Sequence, residues 1–189
     1  MRNLIGRSTG FDGVVVIEPD LFRDERGWFM ESYSLGKMRE IGIETVFVQD
    51  NHSFSAKKGV IRGLHFQDAP MEQTKLVRCS RGSILDFAVD VRIDSPRYAK
   101  WFSIQLSSAN MTQLFIPHGY AHGFVTLEDE TEVQYKVDRP YSKDHERIIR
   151  YDDPEIGIEW GIKEPVVSER DSQAPFLKGV ESKLRFPQL

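Results

Sequence analysis

Cysteine is nearly absent from this chain. Cys79 is the single one among 189 residues, which leaves no partner for an internal disulfide and no thiolate set for a Cys-rich zinc site. Long apolar runs are missing as well; no stretch approaches the roughly 20 residues that a spanning helix requires. The first ten residues lack the apolar core of a signal peptide. A cytoplasmic location and no membrane partner are therefore expected. Positive charge is not in excess either. The 25 Lys and Arg against 29 Asp and Glu give a net charge of −4, without the basic bias of nucleic-acid binders. A few arginines in one pocket would still suffice for an anionic small molecule. Internal repeats and low-complexity tracts are also lacking. What is present, 40% hydrophobic and 29% charged residues, describes an ordinary folded chain long enough to bury a core. It reads as one domain over 1–189, with an irregular tail from about 176.

Periodicity points to strands. Residues 13–19 form a β-branched run. Residues 22–31 mix three aromatics with charges of both signs, and spacing alone does not separate a solvated loop from a functional one. Residues 35–41 predict a short helix stopped by Gly42, and 44–51 a strand. From Gly59 onward strand follows strand: 59–67, 75–80, 83–92, 101–106, 113–117, 123–127 and 131–137. Within 83–92, Leu85, Phe87, Val89 and Val91 alternate with Asp86, Ala88 and Asp90, a period of two. Short strands at such spacing predict an all-β sandwich or barrel. Beyond Tyr141 the chain is charged and weakly periodic, which suggests a peripheral wrap.

Residues 59–67, Gly-Val-Ile-Arg-Gly-Leu-His-Phe-Gln, place polar groups in an apolar run. Regular alternation puts Ile61, Gly63, His65 and Gln67 on one face and Arg62, Leu64 and Phe66 on the other. Gly59-x5-His65-x-Gln67 with Lys75-x6-Gly82, then Pro117-x-Gly119-x2-His122, resembles the two motifs of the cupin jelly-roll family. Metal-binding cupins carry His, His, Glu and His at those places. Here Gln67 and Lys75 replace two of them, and a protonated lysine between two imidazoles makes a poor metal site. No metal and no cofactor are expected.

Taken alone, each residue has an ordinary explanation. His65 would be a core histidine satisfied by a carbonyl, and Lys75 a strand-edge lysine. Tyr135 would be core with its hydroxyl bonded, and Asp171 a surface carboxylate. Together they supply a base, a cation and a phenol. Such a set suits removal of a proton from carbon beside a ketone, stabilisation of the enolate, and reprotonation from the other face.

The matches extend further. Phe-x-Asp-Glu-Arg-Gly-x-Phe at 22–29, Phe-Val-Gln-Asp-Asn-His-Ser at 47–53 and Arg-Gly-Leu-His-Phe-Gln at 62–67 occur in order. Ile-Pro-x-Gly-x-Ala-His-Gly-Phe at 116–124, His-Glu-Arg at 145–147 and Ser-Glu-x-Asp-x-Gln-Ala-Pro at 168–175 follow. With them the chain resembles the dTDP-4-dehydrorhamnose 3,5-epimerase family. The resemblance implies a cupin-type jelly-roll barrel with short peripheral helices. It implies inversion at C3 and C5 of dTDP-4-dehydro-6-deoxy-D-glucose, a dTDP-linked 4-keto-6-deoxy sugar. His65 would be the base, Asp171 its partner, Tyr135 the proton donor, and Lys75 the group near the sugar carbonyl. Arg26, Glu31, Gln49, Asn51, Arg62, His122 and Glu146 match substrate contacts, with Arg62 at the diphosphate. Gln67 and Arg170 join the expected binding set, and Tyr141 would stack on the base.

The resemblance also implies a homodimer whose 26–31 segment reaches the neighbour's site. His118, Pro140 and Arg170 depart from the family's usual residues. If Arg62 and His65 touch one ligand, Arg62 must sit at a strand end or a bulge. A single-carbon epimerase of a related nucleotide 4-keto sugar is the nearest alternative, and a metal-dependent cupin enzyme a more distant one.

Overall fold

A computed structural model describes residues 4–185. The chain opens with β1 (Ile5–Ser8), β2 (Val15–Glu18), the hairpin β3 (Phe22–Asp24) and β4 (Gly27–Phe29), and helix α1 (Leu35–Glu40). Then come β5 (Gln49–Ser55), β6 (Val60–Gln67), β7 (Lys75–Arg81), β8 (Ser83–Asp90) and β9 (Trp101–Ser107). β10 (Gln113–Ile116), β11 (Tyr120–Thr126) and β12 (Thr131–Val137) complete the main strands. β13 (Glu146–Ile148), β14 (Val166–Val167) and helix α2 (Glu169–Ser172) follow. One sheet runs β1-β2-β10-β7-β12-β5; the other runs β13-β6-β11-β8-β9, with β14 parallel to β6. Two facing, mainly antiparallel sheets make the expected cupin-type barrel.

Three apolar layers hold these sheets. Between them, Val16, Val77, Leu114 and Val133 meet Ile84, Ala88, Leu106 and Phe124. Outside the first sheet, Ile17, Leu76 and Phe115 pack on Met38 of α1 and on Ile43. Outside the second, Leu64, Phe66, Phe87 and Val89 pack on Ile149, Ile156, Trp160 and Leu177 of the C-terminal chain. Phe87 stands edge-on to Trp101 and Trp160, with centroids 5.4 and 4.7 Å apart. The apolar row of β8 thus faces away from the barrel, under the C-terminal wrap. Its other row, with Asp86, Ala88 and Asp90, faces in.

Several boundaries differ from the sequence reading. The strand expected from residue 44 begins only at Gln49. Phe47 instead packs edge-on to Tyr33 at 5.5 Å, in the layer over α1, so that stretch covers a helix rather than pairing. β11 starts at Tyr120, earlier than residue 123, because Ala121 and His122 interrupt its apolar pattern. β8 ends at Asp90, since Arg92 folds back on that carboxylate with contacts of 3.0 and 2.7 Å. Residues 22–31 contain the exposed β3–β4 hairpin, turned at Gly27, whose φ is +129°. The chain beyond Tyr141 contributes two strands, a short α-helix and a 3-10 turn at Leu177–Gly179 as well as a wrap. No helix among the described residues is long and apolar enough to cross a membrane.

Candidate active site

The site is set by an irregularity in β6. On its neighbour β11, His122 stands opposite His65 and Phe124 opposite Arg62. Two residues of β6, Gly63 and Leu64, therefore face one of β11, Gly123, which is a β-bulge. The bulge breaks the alternation that the sequence implied. Ile61, Leu64 and Phe66 all enter the layer beneath the sheet. Arg62, His65 and Gln67 all line one cavity of about 530 Å³ between the sheets. Gly63 is required here. With φ at +130°, a Cβ on it would lie 2.5 Å from the Gly123 Cα and 2.8 Å from the His122 carbonyl oxygen.

The bulge also presents the Gly63 N–H to Asp171, whose Oδ2 accepts it at 3.3 Å. The other oxygen of Asp171 meets His65 Nε2 at 2.8 Å. Asp171 is buried on the short helix α2, whose N-cap Ser168 accepts from the Asp171 N–H at 3.1 Å. β14, paired with Val60 and Ile61 of β6, delivers this helix to the site. Burial alone would raise the Asp171 pKa, but the His65 bond, Gly63 N–H and Ser168 outweigh it and lower it. Among the described residues the second nitrogen of His65, Nδ1, has no hydrogen-bond partner, and the side chain is 32% exposed.

Lys75 and Tyr135 come from the opposite sheet. Lys75 is buried; its Nζ donates to the His65 carbonyl oxygen at 3.2 Å. Desolvation lowers its pKa to about 8, against support from Asp86 and Glu146. Tyr135 is held in its phenol form, its pKa raised by burial despite the nearby Arg62 guanidinium. His122 donates or accepts at Nε2 with Asp86 Oδ1, 2.7 Å away, and both side chains are buried. Burial lowers the His122 pKa, so the imidazole is neutral and Nε2–H is the donor. Sequence reading missed Asp86; its only signal was an acidic residue in the inward row of an apolar strand.

The remaining candidates divide. Arg62 donates to Ser55 Oγ at 3.3 Å and to the Phe54 carbonyl at 3.0 Å. Glu146 accepts from the Tyr141 hydroxyl at 2.7 Å and pairs with Arg170, and all three line the cavity. Gln67 also lines it, but its amide is occupied: Nε2 donates to the carbonyls of Met71 and Pro140, and Oε1 accepts from the Ser142 N–H. Asn51, which accepts from Gln49 at 2.8 Å, lines an adjoining cleft of about 330 Å³ that shares Tyr135. Arg26 and Glu31 are outside the cavity. Arg26 pairs with Asp24 on the exposed hairpin, and Glu31 with Lys37. His118, one of the departures, is bound to Asp138 at 2.8 Å.

Each cavity histidine is thus tied to its own carboxylate, and no group of three or more His, Cys, Asp and Glu among the described residues could hold a metal ion. Fold and site define a cupin-type barrel furnished for acid–base chemistry, with a histidine on one sheet, bound to an aspartate of α2, facing a tyrosine and a lysine on the other sheet. The chain belongs to the dTDP-4-dehydrorhamnose 3,5-epimerase family, which it matches over residues 8–179. The dTDP-4-dehydrorhamnose 3,5-epimerase of Sinorhizobium fredii is 49% identical over 165 residues, covering 87% of this chain and 85% of that one. The Legionella pneumophila dTDP-6-deoxy-D-glucose-3,5-epimerase, solved in complex with dTDP-4-keto-L-rhamnose, superposes with a TM-score of 0.93 at 37% identity, covering 98% and 100% of the two chains. The Bacillus anthracis enzyme with TDP and PPi bound gives 0.89 at 44% identity, covering 92% and 99%.

Proposed function

We propose that this protein inverts C3 and C5 of dTDP-4-dehydro-6-deoxy-D-glucose, giving dTDP-4-dehydro-L-rhamnose by two rounds of deprotonation and opposite-face reprotonation. The carrying observation is the placement of His65 and Tyr135 on opposite sheets of one cavity, with the buried Lys75 beside them. His65 Nδ1 removes the proton from a carbon next to the C4 ketone. Asp171, bonded to Nε2, fixes the tautomer and stabilises the imidazolium that forms. The electron pair moves onto the C4 oxygen, where the Lys75 ammonium meets the developing charge. Comparable donors contribute about 3–4 kcal/mol to such transition states. Tyr135 then returns a proton to carbon from the far side, inverting the centre.

Arg62 lies at the cavity wall as the contact for the diphosphate, and Tyr141 as the surface for the nucleotide base. The functional unit in this reading is a homodimer, in which the hairpin carrying Arg26 and the adjoining Glu31 reach the neighbour's site. Its support is the exposure of Phe22, Trp28 and Phe29, at 54%, 49% and 65%, on a hairpin that does not line its own chain's cavity.

The test is incubation with dTDP-4-keto-6-deoxyglucose in deuterated water without added metal. The wild type should incorporate two solvent deuterons and invert both centres; a single deuteron would mark a one-carbon epimerase instead. His65→Asn should lose both exchange and inversion. Tyr135→Phe should keep exchange with retention while inversion falls by roughly 10²–10⁴-fold. Inversion at the wild-type rate in Tyr135→Phe, or continued exchange in His65→Asn, would refute the assignment.

A further inference from the structure

One carboxylate on the inward row of β8, bonded to the cavity-lining His122, is left half-satisfied. Asp86 is fully buried, its Oδ1 is taken by His122, and its Oδ2 has no hydrogen-bond partner among the described residues. A buried, unpaired carboxylate oxygen is costly, and a protein keeps one where its charge is used. The surroundings show what can use it. Of the carboxylates that line the cavity, Asp171 is bound to His65 and Gly63, and Glu146 to Arg170 and Tyr141.

The cations are as unequal. Arg170 is paired with Glu146, and Arg62 is turned toward Ser55 and Phe54 at the wall. Lys75 has a carbonyl as its only hydrogen-bond partner and no carboxylate within ion-pair distance among the described residues. Of the other titratable groups, His122 is neutral and Tyr135 a phenol, so neither supplies compensating negative charge. His65 is bound to Asp171.

We propose that Asp86 is a positioning residue for the reaction: from the inward row of β8, behind the cavity-lining His122, it keeps the buried Lys75 side chain charged beside the reacting carbonyl. The inference rests on the reading of Lys75 as the enolate's partner. Burial works against the ammonium, and Asp86 is the largest Coulombic support that opposes it. A lysine whose folded pKa is depressed carries its charge below that pKa and loses it as pH rises through it. The wild-type kcat/KM should therefore fall above about pH 8, the value to which Lys75 is lowered, since this ratio reports the free enzyme.

Asp86→Asn keeps an oxygen for the His122 N–H and removes the charge. Its alkaline limb should move down by about one pH unit, so that activity relative to wild type falls about tenfold at pH 9 and only slightly at pH 6.5. Asp86→Glu, which keeps the charge, should hold the limb near its wild-type place. Binding of dTDP serves as the check of folding, and Asp86→Ser replaces the amide variant should that not fold. A wild-type profile with no alkaline limb overturns both this proposal and the role of Lys75. A limb that is present but unmoved in Asp86→Asn, or a loss equal at every pH, overturns the role of Asp86 alone.

Discussion

Replacing Gly63 by alanine tests whether the bulge in β6 organises the site. The backbone there has φ at +130°, and an added Cβ would meet the Gly123 Cα at 2.5 Å and the His122 carbonyl at 2.8 Å. These neighbours are backbone atoms of the adjacent strand and cannot rotate aside. Holding a residue with a side chain at such a φ costs about 1–3 kcal/mol. Forcing the two strands apart adds about 1–3 kcal/mol of overpacking. The sum, roughly 2–6 kcal/mol, should lower a urea midpoint by about 1–3 M if the slope is near 2 kcal/mol/M. Measurements belong at one fixed protein concentration, because any assembly would make the midpoint concentration-dependent.

Activity should suffer beyond stability. The Gly63 N–H is a ligand of Asp171, and the bulge decides whether His65 faces the cavity. A displacement near 1 Å at such a pair costs roughly 10²-fold in rate. Folded Gly63→Ala protein should thus be slow in solvent exchange as well as in inversion. A variant that unfolds at the wild-type midpoint and exchanges at the wild-type rate would show that the strand relaxes freely and that the bulge does not set the site.

Other outcomes can be checked more briefly. Lys75→Met should reduce kcat by roughly 10²–10³-fold while changing dTDP affinity little, because its proposed partner is charge that develops during reaction. Arg62→Ala should weaken dTDP binding by roughly tenfold or more, the worth of a charge-assisted contact; equal effects of the two changes on affinity, read by calorimetry, would contradict the division of roles. Mixing inactive Arg26→Ala with inactive His65→Asn should restore about a quarter of wild-type activity, since a symmetric dimer formed at random would have one intact site in half of its copies. A mixture no more active than its components would refute a shared site.

How much of this was legible in the sequence depended on the range of the interaction. β12 appears at the residues its alternation marked, because Thr131, Val133 and Val137 bury on one face along the whole strand. The need for a strand end or a bulge at Arg62 followed from two ligand-facing residues an odd number apart. Its place did not, because Gly63 and Gly123 are identified only when their strands lie side by side. Asp171 lies 106 positions from His65, and nothing local distinguished it from a surface carboxylate. Asp86 was not distinguished by its strand's alternation, which does not tell that the apolar row faces the C-terminal wrap and the acidic row the barrel. Gln67 was assigned to substrate, yet its amide is engaged with the backbone of Met71, Pro140 and Ser142.

The wrap over the outer face of the second sheet has a consequence in time. A ribosome makes both long sheets' principal strands, His65, Lys75 and Tyr135 before it reaches residue 138. The partner of His65 emerges only with α2, after Ile149, Ile156 and Trp160 have arrived to cover Phe87 and Val89. A nascent chain can therefore hold a barrel with a histidine in its cavity while that histidine has no carboxylate to orient it. The proposed base gains its carboxylate only when the apolar underside of its own sheet has been closed.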